Sequence, residues 1–350
     1  MKRVLTILAV NLGLLLLAAL AAELIFGSWL SSDPIHKLAL ARDTRHDVTA
    51  EGLYPGGTKF VYRRDHWGFR GPDFDPKTVE VVSLGGSTTN QLYLPEEATW
   101  QAVMASAFAA SGRSLAIVNA GIDGQSTVGH LVAVESWLAH VPGLRPRLVL
   151  VYVGINDTFV GGNVIDQMKH SSRFKWLSQN SALLRLWQSA LGAVKARKAR
   201  LNHHAFDFAA ASWTTEGASR PELDPDPAAY PGRLRLLAER IRALGAEPVF
   251  VTQARGDWRV RDGRGEGVAA SHDVNGVLLN GVDHHRRLAR INALTLEVCR
   301  ETGTTCLDMA GEIGFQDGDF YDGAHNTPQG AERIGRYLFE KLRSHPALAR

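Results

Sequence analysis

The sequence predicts a three-layer α/β/α protein whose sheet is mainly parallel and five-stranded, preceded by an N-terminal transmembrane helix. Three observations support this class: five short apolar runs, helical stretches between them, and one long apolar run at the N-terminus. Short strands that alternate with helices are typical of a parallel sheet covered on both faces. The 350 residues, 45% of them hydrophobic, suffice for one large domain with extensions or for two small domains.

The first 27 residues predict the membrane helix. Lys2 and Arg3 precede a largely apolar run over residues 4–26, and about 20 apolar residues span the hydrocarbon core of a bilayer. The basic residues favour a cytoplasmic N-terminus, so we expect a single-pass cell-membrane protein whose body lies on the extracytoplasmic, periplasmic side. A cleaved signal peptide, cut near residues 19–21, and a buried helix are the alternatives. The length of the run favours the uncleaved anchor.

Residues 28–77 predict a membrane-proximal extension packed on the main domain. Turn-forming sequences at residues 55–57 and 68–72 interrupt short strand-like pieces such as residues 59–62. A hairpin is one arrangement that these pieces allow.

Residues 78–345 predict the main domain. The five strands are expected at residues 79–84, 115–119, 148–153, 248–252 and 304–308. The helices are expected at residues 97–110, 127–140, 228–244, 284–300 and 328–342. The continuous apolar run at 148–153 suits a central strand. Chain chirality makes the crossovers right-handed. We expect a flavodoxin-like sheet, whose ligands bind beyond the carboxyl ends of the strands.

An insert at residues 161–226 interrupts this alternation. It is rich in Ser, Arg, Lys and Trp and contains a basic stretch at residues 195–200. The insert could form a helical cap over the crevice or a surface for anionic lipid or polysaccharide. A charged pattern of this kind favours the third alternative, a solvated helical face.

The composition narrows the function classes. A net charge of +3 is modest for 350 residues and argues against a nucleic-acid partner. Cys299 and Cys306 are the two cysteines, which excludes a disulfide-built scaffold and a Cys-rich zinc module. They either form one bond or stay as two buried thiols.

Two loops after predicted strands carry a candidate nucleophile and a candidate glycine donor. Ser87 follows Gly85-Gly86 at the end of the first strand, where glycines allow a sharp turn that projects the serine into the crevice. An ordinary helix N-cap is the alternative for Ser87. Segment 119–126, after the second strand, contains a glycine whose backbone N–H could be offered to an oxyanion.

Two further loops carry an amide and an Asp/His pair. Asn156 follows the third strand, where its side-chain amide can donate to a developing negative charge. An Asx turn is the alternative there. Asp322 lies three residues before His325 in the loop ahead of the last helix. The carboxylate can orient the imidazole, which can then take a serine proton as general base.

All four loops fall in order on the same edge of the predicted sheet, and in this the chain resembles the SGNH hydrolase superfamily, also called GDSL-type esterases. The resemblance covers about residues 78–345. It identifies Ser87 as the nucleophile and Asn156 as the third-block asparagine. Gly124 is the second-block glycine, with Gly121 the less favoured candidate, and Asp322 and His325 are the Asp-x-x-His pair.

One departure from the family pattern concerns the first block. The usual Gly-Asp-Ser-Leu is replaced by Gly85-Gly86-Ser87-Thr88, which resembles an exported, membrane-tethered offshoot of the superfamily. The Gly-x-Ser-x-Gly elbow of α/β-hydrolases is absent from the sequence. The departure leaves the triad intact and weakens inference about the substrate.

The resemblance implies a serine esterase or deacylase that uses an acyl-enzyme on Ser87, with an oxyanion hole from Ser87, Gly124 and Asn156. We expect an acylated small molecule or carbohydrate as substrate and no cofactor. We also expect no metal, because adjacent histidines such as 203–204 and 284–285 cannot easily face one ion on a helix. The alternatives are an O-acyltransferase to a glycan, a non-catalytic membrane-tethered binding or assembly factor, and a nucleotide binder. The fold suits a nucleotide binder, but this sequence contains no phosphate loop.

Overall fold

The computed structural model describes residues 2–30, 34–38, 40–160, 177, 180–184, 186–187, 203–274 and 276–349. The chain divides into two compact units. One contains residues 1–40 and 168–202, and the other contains residues 41–167 and 203–350.

The described strands and helices are numbered in chain order. The strands are β1 Thr44–Thr49, β2 Lys59–Arg64, β3 Val81–Gly85, β4 Ile117–Gly121, β5 Leu148–Tyr152, β6 Trp213–Thr214, β7 Glu247–Val251, β8 Trp258–Arg261, β9 Arg264–Val268, β10 His272–Val274, β11 Val277–Leu279 and β12 Thr305–Leu307. The α-helices are α1 Lys2–Phe26, α2 Ser87–Asn90, α3 Trp100–Ala110, α4 Thr127–Ser136, α5 Tyr230–Ala243, α6 Gly281–Thr302, α7 Met309–Glu312 and α8 Pro328–Leu342.

Helix α1 dominates the smaller unit. Its 25 residues extend about 38 Å at about 1.5 Å per residue, more than the roughly 30 Å of a bilayer core. It has no buried residue. By length and composition this helix fits a membrane span and equally a signal sequence. The polar Glu23 lies near its end, where its carboxylate accepts hydrogen bonds from Trp29 Nε1 at 2.8 Å and from the Ala182 N–H at 3.0 Å.

A parallel five-stranded sheet forms the centre of the larger unit, which confirms the predicted fold class. Its strand order is β12-β7-β5-β3-β4, and each neighbouring pair is parallel. Counted in chain order this is the flavodoxin-like order 2-1-3-4-5, whose switch point lies between β3 and β5. Ligands of such sheets bind in the crevice beyond that point.

The register places the carboxyl ends of the strands at one level. Gly85 at the end of β3 pairs with Gly121 on one side and with Tyr152 on the other. Tyr152 pairs with Val251, which in turn pairs with Leu307. The loops that follow these five residues therefore start side by side, although they lie far apart in sequence.

The sheet is covered on both faces, as the apolar runs predict. Helices α3 and α8 pack against each other, while α4, α5 and α6 pack in series. Strands β3 and β5 are buried along their whole length, as expected for strands without a solvent face. Close packing of α8 on α3 depends on Gly335, because a side chain there would put its Cβ 2.7 Å from the Trp100 carbonyl oxygen.

Three features differ from the predictions or complete them. Strands β8, β9, β10 and β11 fill the stretch between β7 and α6, which had no predicted strands. β8 and β9 join β6, which precedes α5, in a three-stranded antiparallel sheet of order β6-β9-β8, and β10 and β11 form a hairpin. Cys299 and Cys306 form a disulfide, so the bonded alternative holds. In the extension, β1 and β2 pair antiparallel as a hairpin.

Much of the insert at 161–226 lies outside the described residues, including its basic stretch at 195–200. Residues 203–226 of the insert are described, and they contribute β6 to the antiparallel sheet. The predicted cap and the predicted surface for anionic partners therefore stay predictions.

Candidate active site

Ser87 is the first residue of α2, one residue after Gly86, which caps the helix without a side-chain hydrogen bond. The strand-to-helix turn needs both glycines before it. A side chain at Gly85 would collide with Thr89, and one at Gly86 would place its Cβ 2.5 Å from Asn156 Nδ2. The Gly85-Gly86 pair therefore lets the serine turn sharply and lets the asparagine approach it closely.

The loop before α8 brings an imidazole to this serine. His325 Nε2 lies 2.8 Å from Ser87 Oγ. On the other side of the ring, His325 Nδ1 lies 2.8 Å from Asp322 Oδ2 and 3.0 Å from Oδ1. When Nδ1 carries the ring proton, Nδ1 donates to the carboxylate and Nε2 accepts from the serine hydroxyl.

The carboxylate of Asp322 is itself held in place by its own loop. Its Oδ1 accepts from the backbone N–H groups of Ala324 at 2.8 Å and His325 at 2.7 Å. Burial raises the pKa of Asp322, but the hydrogen bonds and charge of His325 and these backbone donors outweigh it and hold the pKa below its usual value. The residue is therefore ionised at neutral pH and can orient the imidazole.

The amide of Asn156 lies beside the serine turn. Asn156 belongs to the 3-10 helix Ile155–Phe159, which follows β5 through Gly154 at φ +123°. Its Nδ2 donates to the backbone carbonyl of Gln125 at 2.8 Å. Gly124, the preceding residue, lies exposed in the turn after β4 at φ +75°. Gly121 lies at the end of β4, where a side chain would collide with the Asn90 backbone.

Gln253, which the sequence analysis did not single out, connects two of these loops. Gln253, two residues past β7, donates from Nε2 to Thr88 Oγ1 at 2.8 Å and accepts from the Ile155 N–H at 2.6 Å. It thereby bridges the residues next to Ser87 and Asn156. Its position just after a central strand was the available signal.

Asp157 ties the Asn156 loop to the N-terminus of α4. Its carboxylate accepts from the Thr127 hydroxyl at 2.6 Å and from Arg233 Nη2 at 3.1 Å. Burial raises the pKa of Asp157 to about 6, although the Thr127 hydrogen bonds and the Arg233 charge oppose this effect. The side chain is fully buried, so it fixes the loop without reaching the crevice.

Two buried arginines from the extension hold the chain after Ser87. Arg64 donates to Asn90 Oδ1 at 3.0 Å and to the Gly121 carbonyl at 2.6 Å. Arg70 donates to the carbonyls of Asn90, Gln91 and Leu94. The extension therefore supports the serine loop directly, and the separation between these residues hid this from the sequence analysis.

A second imidazole lies against His325. The ring of His203 lies 4.2 Å from that of His325 between centroids, and its Nδ1 lies 2.7 Å from Tyr321 Oη. Burial, followed by the nearby His325, lowers the pKa of His203 to about 4, so the ring is neutral at pH 7. Its neighbour His204 is exposed. The adjacent His284 and His285 also contact different partners. His285 stacks on Trp258, whereas His284 Nε2 lies 3.2 Å from His272 Nε2.

A largely apolar cleft of about 390 Å³ lies beside the Asp322–His325 loop. Its walls include Phe206, Phe208 and Val268. Within it, Arg255 and Asp257 form a two-point ion pair with N–O distances of 2.7 and 2.6 Å. The cleft therefore combines aromatic surface with a fixed pair of polar groups.

A known protein family also matches this chain. The family model of the GDSL-like lipase/acylhydrolase family matches residues 83–333, more than two thirds of the chain. Comparison with curated proteins gives no significant match.

Several solved structures are similar at low identity. TesA is 17% identical over 77% of this chain and 99% of its own, with a TM-score of 0.44. Est24, a carbohydrate acetylesterase from Sinorhizobium meliloti, is 12% identical over 76% of this chain and 99% of its own, with a TM-score of 0.44. The psychrotrophic esterase EstA from Pseudoalteromonas sp. is 12% identical over 75% and 96%, with a TM-score of 0.42. Similarity at this level says nothing about the substrate of this chain.

The family model covers the end of the strand before Ser87, the loops with Gly124 and Asn156, and the Asp322–His325 loop. The resemblance seen in the sequence is thereby confirmed: the chain belongs to the GDSL-like lipase/acylhydrolase family and is, at the general level, an ester hydrolase.

Proposed function

We propose that the chain is a serine esterase or deacylase that forms an acyl-enzyme on Ser87. The continuous hydrogen-bonded series from Ser87 Oγ through His325 to Asp322 carries this proposal. A serine hydroxyl is a weak nucleophile unless a base takes its proton, and a third group usually orients that base.

The proposed first step forms a bond between Ser87 Oγ and the ester carbonyl carbon. His325 Nε2 accepts the hydroxyl proton as the carbonyl oxygen becomes negative. Asp322 stabilises the resulting imidazolium, and the imidazolium then protonates the departing alkoxide. Water repeats the sequence on the acyl-enzyme and releases the carboxylic acid.

The proposed oxyanion hole uses the Ser87 N–H, the Gly124 N–H and the Asn156 side-chain amide. One Asn156 amide hydrogen already points at the Gln125 carbonyl, which fixes the amide plane and leaves the other hydrogen for substrate. Removing a single donor of this kind typically lowers turnover by about 10²–10³.

We propose an ester of moderate size as substrate, with O-acylated carbohydrate as the favoured class. The cleft beside His325 supports this choice, because Phe206 and Phe208 offer faces for an apolar ring surface. The Arg255–Asp257 pair offers donors and acceptors for hydroxyl groups. We also propose that α1 anchors the chain in the cell membrane with the larger unit outside the cytoplasm.

An O-acyltransferase is the second candidate. For this candidate we propose that the cleft, which His325 lines, holds a sugar whose hydroxyl replaces water at the acyl-enzyme. Comparing acyl release with acyl transfer, in the presence and absence of acceptor glycan, separates the two activities.

The direct test is Ser87→Ala, assayed with short-chain p-nitrophenyl esters, with the exposed Ser114 changed to alanine as the matched control. We expect the first variant to lose hydrolysis and the second to keep it. A fluorophosphonate probe should label the wild type and Ser114→Ala only. Equal rates in wild type and Ser87→Ala would overturn the nucleophile. A wild type that the probe does not label would point to a non-catalytic tethered factor.

A further inference from the structure

His203 is not needed for the proposed reaction, yet it lies against the two residues that activate Ser87. Its Nδ1 lies 3.7 Å from Asp322 Oδ2, the same oxygen that pairs with His325 Nδ1 at 2.8 Å. The side chains of His203, Asp322 and His325 are 19%, 22% and 19% exposed. A small solute can therefore reach all three.

Their separations suit a single metal ion. One ligand atom from each of the three residues lies within 4.8 Å of the other two. A tetrahedral Zn²⁺ with bonds of about 2.1 Å holds neighbouring ligand atoms about 3.4 Å apart. The distances from Asp322 Oδ2 to His325 Nδ1, 2.8 Å, and to His203 Nδ1, 3.7 Å, lie on either side of that value. Side-chain shifts of a few tenths of an ångström bring both distances to the spacing of a tetrahedral site.

We infer that His203, Asp322 and His325 form a binding site for a Zn²⁺-like divalent transition metal that inhibits the enzyme. Two imidazoles and one carboxylate favour Zn²⁺, Co²⁺ or Ni²⁺ over Mg²⁺ and Ca²⁺, which prefer oxygen ligands. The binding part stands on the ligand geometry alone, and the inhibition rests on the proposed function.

Inhibition follows from the tautomer of His325. A neutral imidazole has one proton and one lone pair on its two nitrogens. If the ion binds Nδ1, the remaining proton moves to Nε2, which can then no longer accept the proton of Ser87. If the ion binds Nε2 instead, that lone pair is occupied. The proposed general base is lost in either case, while the Asp322 carboxylate turns from the imidazole to the metal.

The same contacts limit the affinity. Tyr321 Oη already occupies His203 Nδ1 at 2.7 Å, and Asp322 already accepts from His325. An ion must replace these hydrogen bonds to gain its ligands. We therefore expect reversible inhibition that a chelator relieves.

Binding is best measured on the full-length Ser87→Ala protein in detergent, because this variant keeps all three ligands and its result does not depend on activity. Zn²⁺ titration by calorimetry should give a site that Mg²⁺ does not fill, and Co²⁺ should give the visible absorption of a low-symmetry complex. Adding His203→Phe keeps an aromatic ring against His325 but removes a ligand atom. It should weaken the site at least about tenfold.

Two further variants make the result specific. His204→Phe changes the exposed neighbour and should leave Zn²⁺ affinity unchanged. His203→Gln keeps a hydrogen-bonding group toward Tyr321, so it should fold and still lose the site. Unchanged Zn²⁺ affinity in both His203 variants, or no Zn²⁺ binding by Ser87→Ala, would overturn the inference.

Labelling of wild-type Ser87 by a fluorophosphonate then tests the inhibition. Zn²⁺ should slow labelling at concentrations that fill the site, EDTA should restore it, and His203→Phe should resist the effect relative to its own metal-free rate. Zn²⁺ binding without protection would refute the inhibitory role. Absence of labelling in the metal-free wild type would instead count against the proposed function, while the binding result would stand.

Discussion

Replacing Asp322 with asparagine tests whether this carboxylate sets the tautomer of His325. Asp322 Oδ1 accepts from two backbone N–H groups, whereas Oδ2 faces His325 Nδ1. In Asp322→Asn the side-chain oxygen is expected to stay with the two backbone donors. The amide nitrogen then faces His325 Nδ1.

Two N–H donors cannot pair, so the imidazole must carry its proton on Nε2 and accept from the amide at Nδ1. Nε2 then has no lone pair for the proton of Ser87. We expect kcat to fall by about 10⁴, which corresponds to about 5 kcal/mol in the activation barrier. KM should change little, because no substrate contact is removed.

The assay is hydrolysis of a short-chain p-nitrophenyl ester, with thermal unfolding measured on the same samples. Asp317→Asn is the matched control, since Asp317 lies exposed in the same loop region and should keep full activity. A folded Asp322→Asn protein whose kcat falls less than about tenfold would show that Asp322 does not determine the tautomer.

Three further outcomes are expected. Asn156→Ala should lower kcat by about 10²–10³ with little change in KM, and a variant that loses only substrate affinity would remove Asn156 from the oxyanion hole. Arg70→Leu leaves three backbone carbonyls without their donor and should reduce the free energy of unfolding in urea by about 3 kcal/mol or more; a loss below about 1 kcal/mol would mean that water replaces the donor. Burial lowers the pKa of His130 to about 3, below its value of about 6.5 in the unfolded chain. The unfolded chain therefore binds a proton below about pH 6.5 that the folded protein does not bind. The contribution of neutral His130 to the free energy of unfolding is fully present above about pH 6.5 and is lost as pH falls from there toward 3. Between pH 7 and pH 5 the urea-unfolding free energy should fall by about 2 kcal/mol less in His130→Leu than in the wild type, and identical falls would contradict this account.

Much of the central architecture could be predicted because buried parallel strands leave a strong local signal. The run predicted at 148–153 became Leu148–Tyr152, and the final helix begins and ends where it was predicted, at Pro328–Leu342. Errors occur at both ends of helices: the helix expected at 127–140 already ends at Ser136. At the starts, caps decide the boundary. The helix expected from residue 97 begins at Trp100, because Thr99 caps it. The helix expected from residue 284 begins at Gly281, because Asn280 and Asp283 form a capping box.

The antiparallel sheet β6-β9-β8 could not be predicted from apolar periodicity. Strands β8 and β9 are rich in arginine and glycine, and most of their residues are partly or fully exposed. Their pairing depends on partners such as Trp213, which lies more than 40 residues before β8. The residues next to a strand in the sequence do not indicate a partner at that distance.

For the site, the sequence by itself determined which residue types follow each strand, and therefore that an alcohol, an amide and an Asp/His pair share one edge of the sheet. Only the tertiary structure decided which other groups join them. His203, Gln253 and the arginines Arg64 and Arg70 reach the site from distant segments. The physical reason is that a strand order and a register align loop starts, whereas a side chain from elsewhere arrives only through packing of the whole domain.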